Sequence, residues 1–180
     1  DTDRSRGLGD VYKRQLLINA ELQNNKISGL YNLDRNSVAP DKTAEIFRKS
    51  FSADVYLCSS NAITENGELY NVDGNSNRVA AIAYGPKSVI IIAGYNKIVR
   101  NIEEASNRVK KTAAPANTVR LQCDTYCSKS GECAAFTKES QDITSGCSSD
   151  ERICCNFLIS AKQRHKGRIK VILVAENLGF

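Results

Sequence analysis

Val89-Ile90-Ile91-Ile92-Ala93 restricts the fold of this chain more than any other segment. It is apolar, β-branched and unbroken, which fits a short strand covered on both faces, as in a parallel sheet. A second, mostly apolar run, Ala53 to Cys58, suits another buried strand. Helical patterns separate and follow these runs, and that order implies parallel pairing through right-handed crossovers. The expected fold is α/β, an open, mostly parallel sheet with flanking helices.

The remaining elements follow from local chemistry. Leu16 to Asn24 reads as a short helix, and Tyr31-Asn32-Leu33 as a short extended piece. Asp41 is placed to cap a helix from Lys42 to Phe51, with Ala44, Phe47 and Phe51 on one side. Asn66-Gly67 stands between Ile63-Thr64-Glu65 and Glu68-Leu69-Tyr70, which predicts a hairpin with a two-residue loop. Asn77 to Tyr84 has helical character and stops at Gly85-Pro86. Asn101 caps a further helix with Glu104 set for a capping box, its apolar stripe is Ile102, Ala105 and Val109, and Pro115 bounds it. Phe157 to Lys162 and Arg168 to Val174 read as a C-terminal hairpin around a turn holding Gly167, preceded by a cysteine-containing loop.

The tract from Ser59 to Arg78 carries five asparagines and two glycines between apolar runs. Such residues hydrogen-bond their own backbone or adopt left-handed dihedrals. They build either a donor-rich pocket edge or a series of structural turns. An open α/β sheet presents its ligand crevice at the carboxyl ends of its strands. The polar tract follows the strand ending at Cys58, and Gly94 to Lys97 follows the strand ending at Ala93, so both loops are expected on one rim. The candidate ligand-binding set is Asn61, Thr64, Asp73, Gly74, Asn75, Asn77, Arg78, Asn96 and Lys97. Amides and free backbone N–H groups can hold a phosphate or carboxylate, Arg78 or Lys97 would neutralise it, and a helix beginning at Asn77 would add a favourable dipole. Asp73 is the most obvious acid–base candidate, without an identifiable partner base; catalytic residues are unassigned.

Cys127, Cys133, Cys147 and Cys154 follow the pattern C-x5-C-x13-C-x6-C. Four thiolates can close a tetrahedral zinc site or hold an iron–sulfur cluster. The same residues also suit a loop of reduced thiols, or one that forms disulfides on oxidation. Cys58 reads as a small apolar strand residue, and Cys123 and Cys155 have no assigned role. His165, the one histidine, sits in a basic turn, which argues against Ser-His-Asp or Cys-His chemistry. No G-x-G-x-x-G or Walker pattern follows a strand.

With 180 residues and 41% apolar content, the chain suits one folded domain. Its net charge of +5 is mild, and the basic clusters at Arg108 to Lys111 and Lys162 to Arg168 read as solvated faces, with no nucleic-acid footprint. No apolar run is long enough to span a membrane. Seven cysteines without an export signal point to the cytoplasm. Residues 1–15 lack a hydrophobic period and read as a non-native leader, which leaves residues 16–180 as the domain.

Several motifs then agree with one family. Asn61 to Gly67, Asn71 to Ala81, Tyr84 to Val89, Ala93 to Val99, Ala113 to Asn117, Asp150 to Cys154 and Val171 to Phe180 resemble, in order, the LUD domain of lactate-utilisation proteins, in its protein C type. The resemblance implies a fold like the NagB/RpiA/CoA-transferase group and a domain lacking part of its N-terminal helical portion. It implies a role in oxidising L-lactate to pyruvate, as an accessory or ligand-binding subunit beside iron–sulfur and oxidoreductase partners. In related folds, sugar phosphates or CoA occupy the rim, so a sugar-phosphate- or CoA-binding enzyme is the second expectation. A cysteine–metal interaction module is the third. The family spaces its third cysteine closer to the second, and Ala134 to Gly146 looks like an insertion.

Overall fold

Apolar strands flanked by helices form two sheets in this protein. The structure, a computed structural model, describes residues 39–137 and 142–180. The expected leader, the helix at Leu16 and the extended piece at Tyr31 lie outside the described residues. A 3-10 turn, Pro40–Lys42, leads into α1 (Thr43–Ser50). Next come β1 (Val55–Cys58), β2 (Ala62–Thr64), β3 (Leu69–Asp73), α2 (Asn77–Ala83), β4 (Ser88–Gly94) and β5 (Ile98–Val99). Then α3 (Ile102–Arg108), a π turn (Val109–Ala113), α4 (Ala114–Arg120) and α5 (Tyr126–Ser130) precede β6 (Asn156–Ser160) and β7 (Ile169–Val174).

The first sheet is parallel throughout, in the order β1-β4-β7. β4 is its middle strand, as its composition requires, and Val89, Ile91 and Ala93 are fully buried. The second sheet is mixed, in the order β5-β2-β3-β6. Strand alternation sends its side chains to two cores. Ala62, Tyr70 and Val72 pack against Ala105, Val109 and Ala114 of the helical layer. Ile63 and Leu69 face the other way and pack with Ile82, Val89, Ile91 and Ala93. Each such fully buried aliphatic side chain contributes about 1.5–3 kcal/mol.

Four local expectations change. The helix after Asp41 begins at Thr43 with no side-chain cap, and Ile46, not Ala44, is its buried residue. The Asn66-Gly67 hairpin forms, but Thr64 N–H donates to the Glu68 carbonyl at 3.0 Å, so three residues make its loop. Gly67 supplies the positive φ of 90° that such loops need. Pro115 does not bound α3: the chain widens into the π turn and continues, placing the proline in the first turn of α4, where its missing N–H does no harm. The two C-terminal strands form without pairing with each other. β6 runs antiparallel to β3 and β7 runs parallel to β4, so the basic turn between them bridges the two sheets.

Candidate functional site

Because β1 and β4 are parallel neighbours, the loops after them leave the sheet at one edge. There, Lys97 Nζ donates to Ser59 Oγ at 2.9 Å, which ties the two loops together. Arg78, on α2, reaches the same place. Its guanidinium donates to Asn71 Oδ1 (2.6 Å), Asn61 Oδ1 (2.7 Å), the Val72 carbonyl (2.6 Å) and the Ser59 carbonyl (3.3 Å). Arg108, at the end of α3, donates to the Asn61 carbonyl (2.6 Å) and the Asn96 carbonyl (3.0 Å). Three cations from three elements thus converge on Ser59 to Asn61.

Each of these acceptors is a neutral oxygen. Among the described residues, no carboxylate lies within ion-pair distance of Arg78, Lys97 or Arg108; the ion pairs lie elsewhere, as at Lys49–Glu45 and Lys129–Asp124. Lys97 is 6% exposed. Burial, then the charges of Arg108 and Arg78, brings its ammonium down to about 8. Burial also pulls Arg108 below its ordinary range. A buried charge without a partner is costly, and a bound anion would offset that cost. Asn71, fully buried, has its Nδ2 unpartnered among the described residues.

The predicted ligand set divides between this cluster and the scaffold around it. Asn61, Arg78 and Lys97 come together. Asp73 accepts the N–H groups of Arg78 (2.7 Å), Val79 (3.2 Å) and Asn75 (3.2 Å), so it occupies the N-terminus of α2 where an anion was expected. Gly74 packs on Ile153, where a Cβ would lie 3.3 Å from its Cα. Thr64 hydrogen-bonds Glu68 in the hairpin, Asn75 is an exposed turn residue, and Asn77 opens α2. Asn96 holds the C-terminal tail: its Nδ2 donates to the Gly179 carbonyl (2.9 Å) and its Oδ1 accepts the Leu178 N–H (3.1 Å).

Ser59, Asn71 and Arg108 join the cluster without having been predicted. Arg108 and Lys110 were read as solvated, but Arg108 is half-buried and Lys110 is 6% exposed, its ammonium donating to the Asp142 carbonyl. The available signal was the spacing of Arg108 from the apolar stripe Ile102, Ala105 and Val109, which puts it beside the buried face rather than opposite it. In the second basic cluster, Lys162 to Gly167 is exposed, His165 included, while Arg168 donates to the carbonyls of Ala81, Ile82 and Pro86 at the end of α2.

The cysteines gather apart from the cations. Cys127, Cys133, Cys147 and Cys154 all line one cavity of about 450 Å³, counted with its mouth. All seven cysteines are free thiols. Burial above all, and then the neighbouring Cys127, Cys133 and Cys147, push the Cys154 thiol up to about 12. Among the described residues, no three His, Cys, Asp or Glu side chains stand close enough to grip a single metal ion. Cys58 is shielded in β1, and burial raises it to about 11.

Comparison with known proteins adds one finding. The LUD domain, the domain associated with lactate-utilisation proteins, matches residues 5–174. No curated protein and no solved structure matches the chain. Among the described residues, no helix is long and apolar enough to cross a membrane.

Proposed function

This chain belongs to the LUD domain family, and we propose that it is a lactate-utilisation protein of the C type that binds a small anion at the Arg78–Lys97–Arg108 rim. In this reading it acts in the cytoplasm as an accessory subunit in the oxidation of L-lactate to pyruvate, alongside iron–sulfur and oxidoreductase subunits. The supporting observation is the convergence of three cations, one buried and two half-buried, on Ser59 to Asn61 with only neutral acceptors around them. Lactate and pyruvate each present a carboxylate of the right charge for such a seat. The amides of Asn61 and Asn71 hold Arg78 in place, so the guanidinium is oriented before any ligand arrives. In this reading Asp73 serves as the cap of α2 rather than as an acid or base.

A second reading rests on Lys97. An ammonium brought down to about 8 exchanges its proton near neutral pH, as a catalytic lysine does. That supports an enzyme acting on a sugar phosphate or a CoA ester, in a fold of the NagB/RpiA/CoA-transferase kind. Thermal-shift measurements against L-lactate, pyruvate, phosphosugars and acyl-CoAs separate the readings. Stabilisation by the small carboxylates supports the accessory role, and stabilisation by a phosphosugar or acyl-CoA with turnover supports the enzyme. Flat melting curves across the panel remove both. Deleting the gene in its host tests the role in lactate metabolism, where normal growth on lactate contradicts it.

A further inference from the structure

The cysteine cavity carries an inference that does not depend on the anion rim. Four thiols from separate segments meet there: Cys127 on α5, Cys133 after that helix, Cys147 in the following loop and Cys154 just before β6. Val109, Ala114, Ile153 and Phe157 make the intervening walls apolar. Disulfides do not account for the grouping, since every thiol is free. A lone zinc ion would need its sulfurs drawn in to about 2.3 Å from one point. The arrangement surrounds a space, and no three ligating side chains among the described residues close on a single centre.

Second observations point to a guest in that space. Tyr70 lines the cavity with none of its surface exposed, and its hydroxyl has no hydrogen-bond partner among the described residues. Ser106 and Cys154 are the polar groups beside it. A buried hydroxyl that lacks a full hydrogen bond is costly unless something in the cavity accepts its proton. The sulfurs are also prepared as acceptors. Ala135 N–H donates to Cys133 Sγ at 3.5 Å. Thr125 Oγ1 accepts the Ser128 N–H and lies 3.4 Å from Cys127 Sγ, so its own proton is free to point at that sulfur. Arg152 and Lys110 add positive charge to these otherwise largely apolar walls. The Arg152 guanidinium donates to the carbonyls of Cys147 (3.0 Å), Cys154 (2.9 Å) and Thr144 (2.8 Å), and Lys110, whose ammonium donates to the Asp142 carbonyl, also lines the cavity.

From this geometry we propose that Cys127, Cys133, Cys147 and Cys154 bind an iron–sulfur cluster. Four cysteine ligands suit both common cluster types, and N–H and O–H donors to the sulfurs are a regular means of tuning them. Loading is an exchange at constant oxidation state. Each cysteine sulfur bonds an iron of a preassembled, thiolate-ligated cluster, the bond from that iron to its donor thiolate breaks, and the departing thiolate takes up the cysteine's proton. Tyr70 then donates its idle hydroxyl to a cluster or cysteine sulfur, while Arg152 and Lys110 offset the negative charge.

The test uses the full chain purified without oxygen, before and after incubation with a glutathione-ligated iron–sulfur cluster. The expected result is iron and acid-labile sulfide in equal amounts, with broad visible charge-transfer absorption. Cys154→Ser and Cys133→Ser are expected to lose most of both, whereas the exposed Cys155→Ser keeps them; melting curves report the folding of each variant. The wild-type result decides the matter even if a variant fails to fold. Zinc in place of iron, iron without labile sulfide, or a colourless chain with all seven thiols titratable overturns the proposal. Full loading that persists in folded Cys154→Ser also overturns it.

Discussion

The rim at Ser59 and the cavity at Cys154 are built from opposite materials. At the rim, three cations are held by neutral oxygens and lack a counter-charge among the described residues. In the cavity, four thiols that would repel one another as thiolates share apolar walls. Burial acts in opposite directions on the two, because it disfavours whichever form is charged. It drives Lys97 down to about 8 and Cys154 up to about 12. The rim therefore carries an electrostatic cost in the bare protein that an anion would relieve, whereas the cavity avoids that cost by keeping the Cys154 thiol protonated and neutral.

The largest test of this contrast is Arg78→Met. It leaves Asn71 Oδ1 and the Val72 carbonyl without their strong donor and loosens Asn61. Urea unfolding is expected to show a loss on the order of 3 kcal/mol or more; a change below about 0.5 kcal/mol would mean that the guanidinium is not what organises the rim. Gly94→Ala is next. A Cβ there would run into the Glu176 carbonyl, Asn96 Oδ1 and the Leu178 N–H, so the tail that crosses the rim must shift, at about 1–3 kcal/mol by the same measurement. Asp73→Ala removes the cap on α2 and should cost about 1–2 kcal/mol while sparing the cysteine cavity.

The smallest effect, and the most telling, is in the pH dependence. Lys97 holds its proton less tightly folded than unfolded, so its buried charge weighs fully on stability below about pH 8. That burden lifts as pH rises toward 10.5, the ordinary lysine value. Cys154 does the reverse: its contribution is complete below pH 9, the ordinary thiol value, and is lost as pH rises through about 12. Subtracting the stability profile of Lys97→Met from wild type should give a difference that rises with pH between about 8 and 10.5. The same subtraction for Cys154→Ser should fall above pH 9. Two differences of the same sign would break the contrast between the regions.

Much of this was legible in the residues. The parallel sheet followed from the unbroken Val89 to Ala93 run, and the hairpin from Asn66-Gly67, because those signals are local. Asn61, Arg78 and Lys97 were identified by type, as were all four cavity cysteines despite the long Cys133 to Cys147 spacing. Partnership was not legible. Asp73 and Asn77 share one helix terminus, and which of them fills it depends on how the turn at Ser76, with its positive φ of 66°, aims the backbone. Arg108 looked like a surface residue because its basic neighbours masked its place beside the apolar stripe. The C-terminal strands looked like a hairpin because chain proximity suggested pairing, whereas β3 and β4 each offered a free edge in a different sheet.

Calorimetric titration of the full chain with L-lactate and with inorganic phosphate, at pH 7 and pH 9.5, tests the rim most directly. The account predicts binding of an anion at pH 7, weakening at pH 9.5 as Lys97 loses its proton, and loss of that binding in Lys97→Met at both values. No heat with either anion at pH 7, or equal affinity in wild type and folded Lys97→Met, would contradict it.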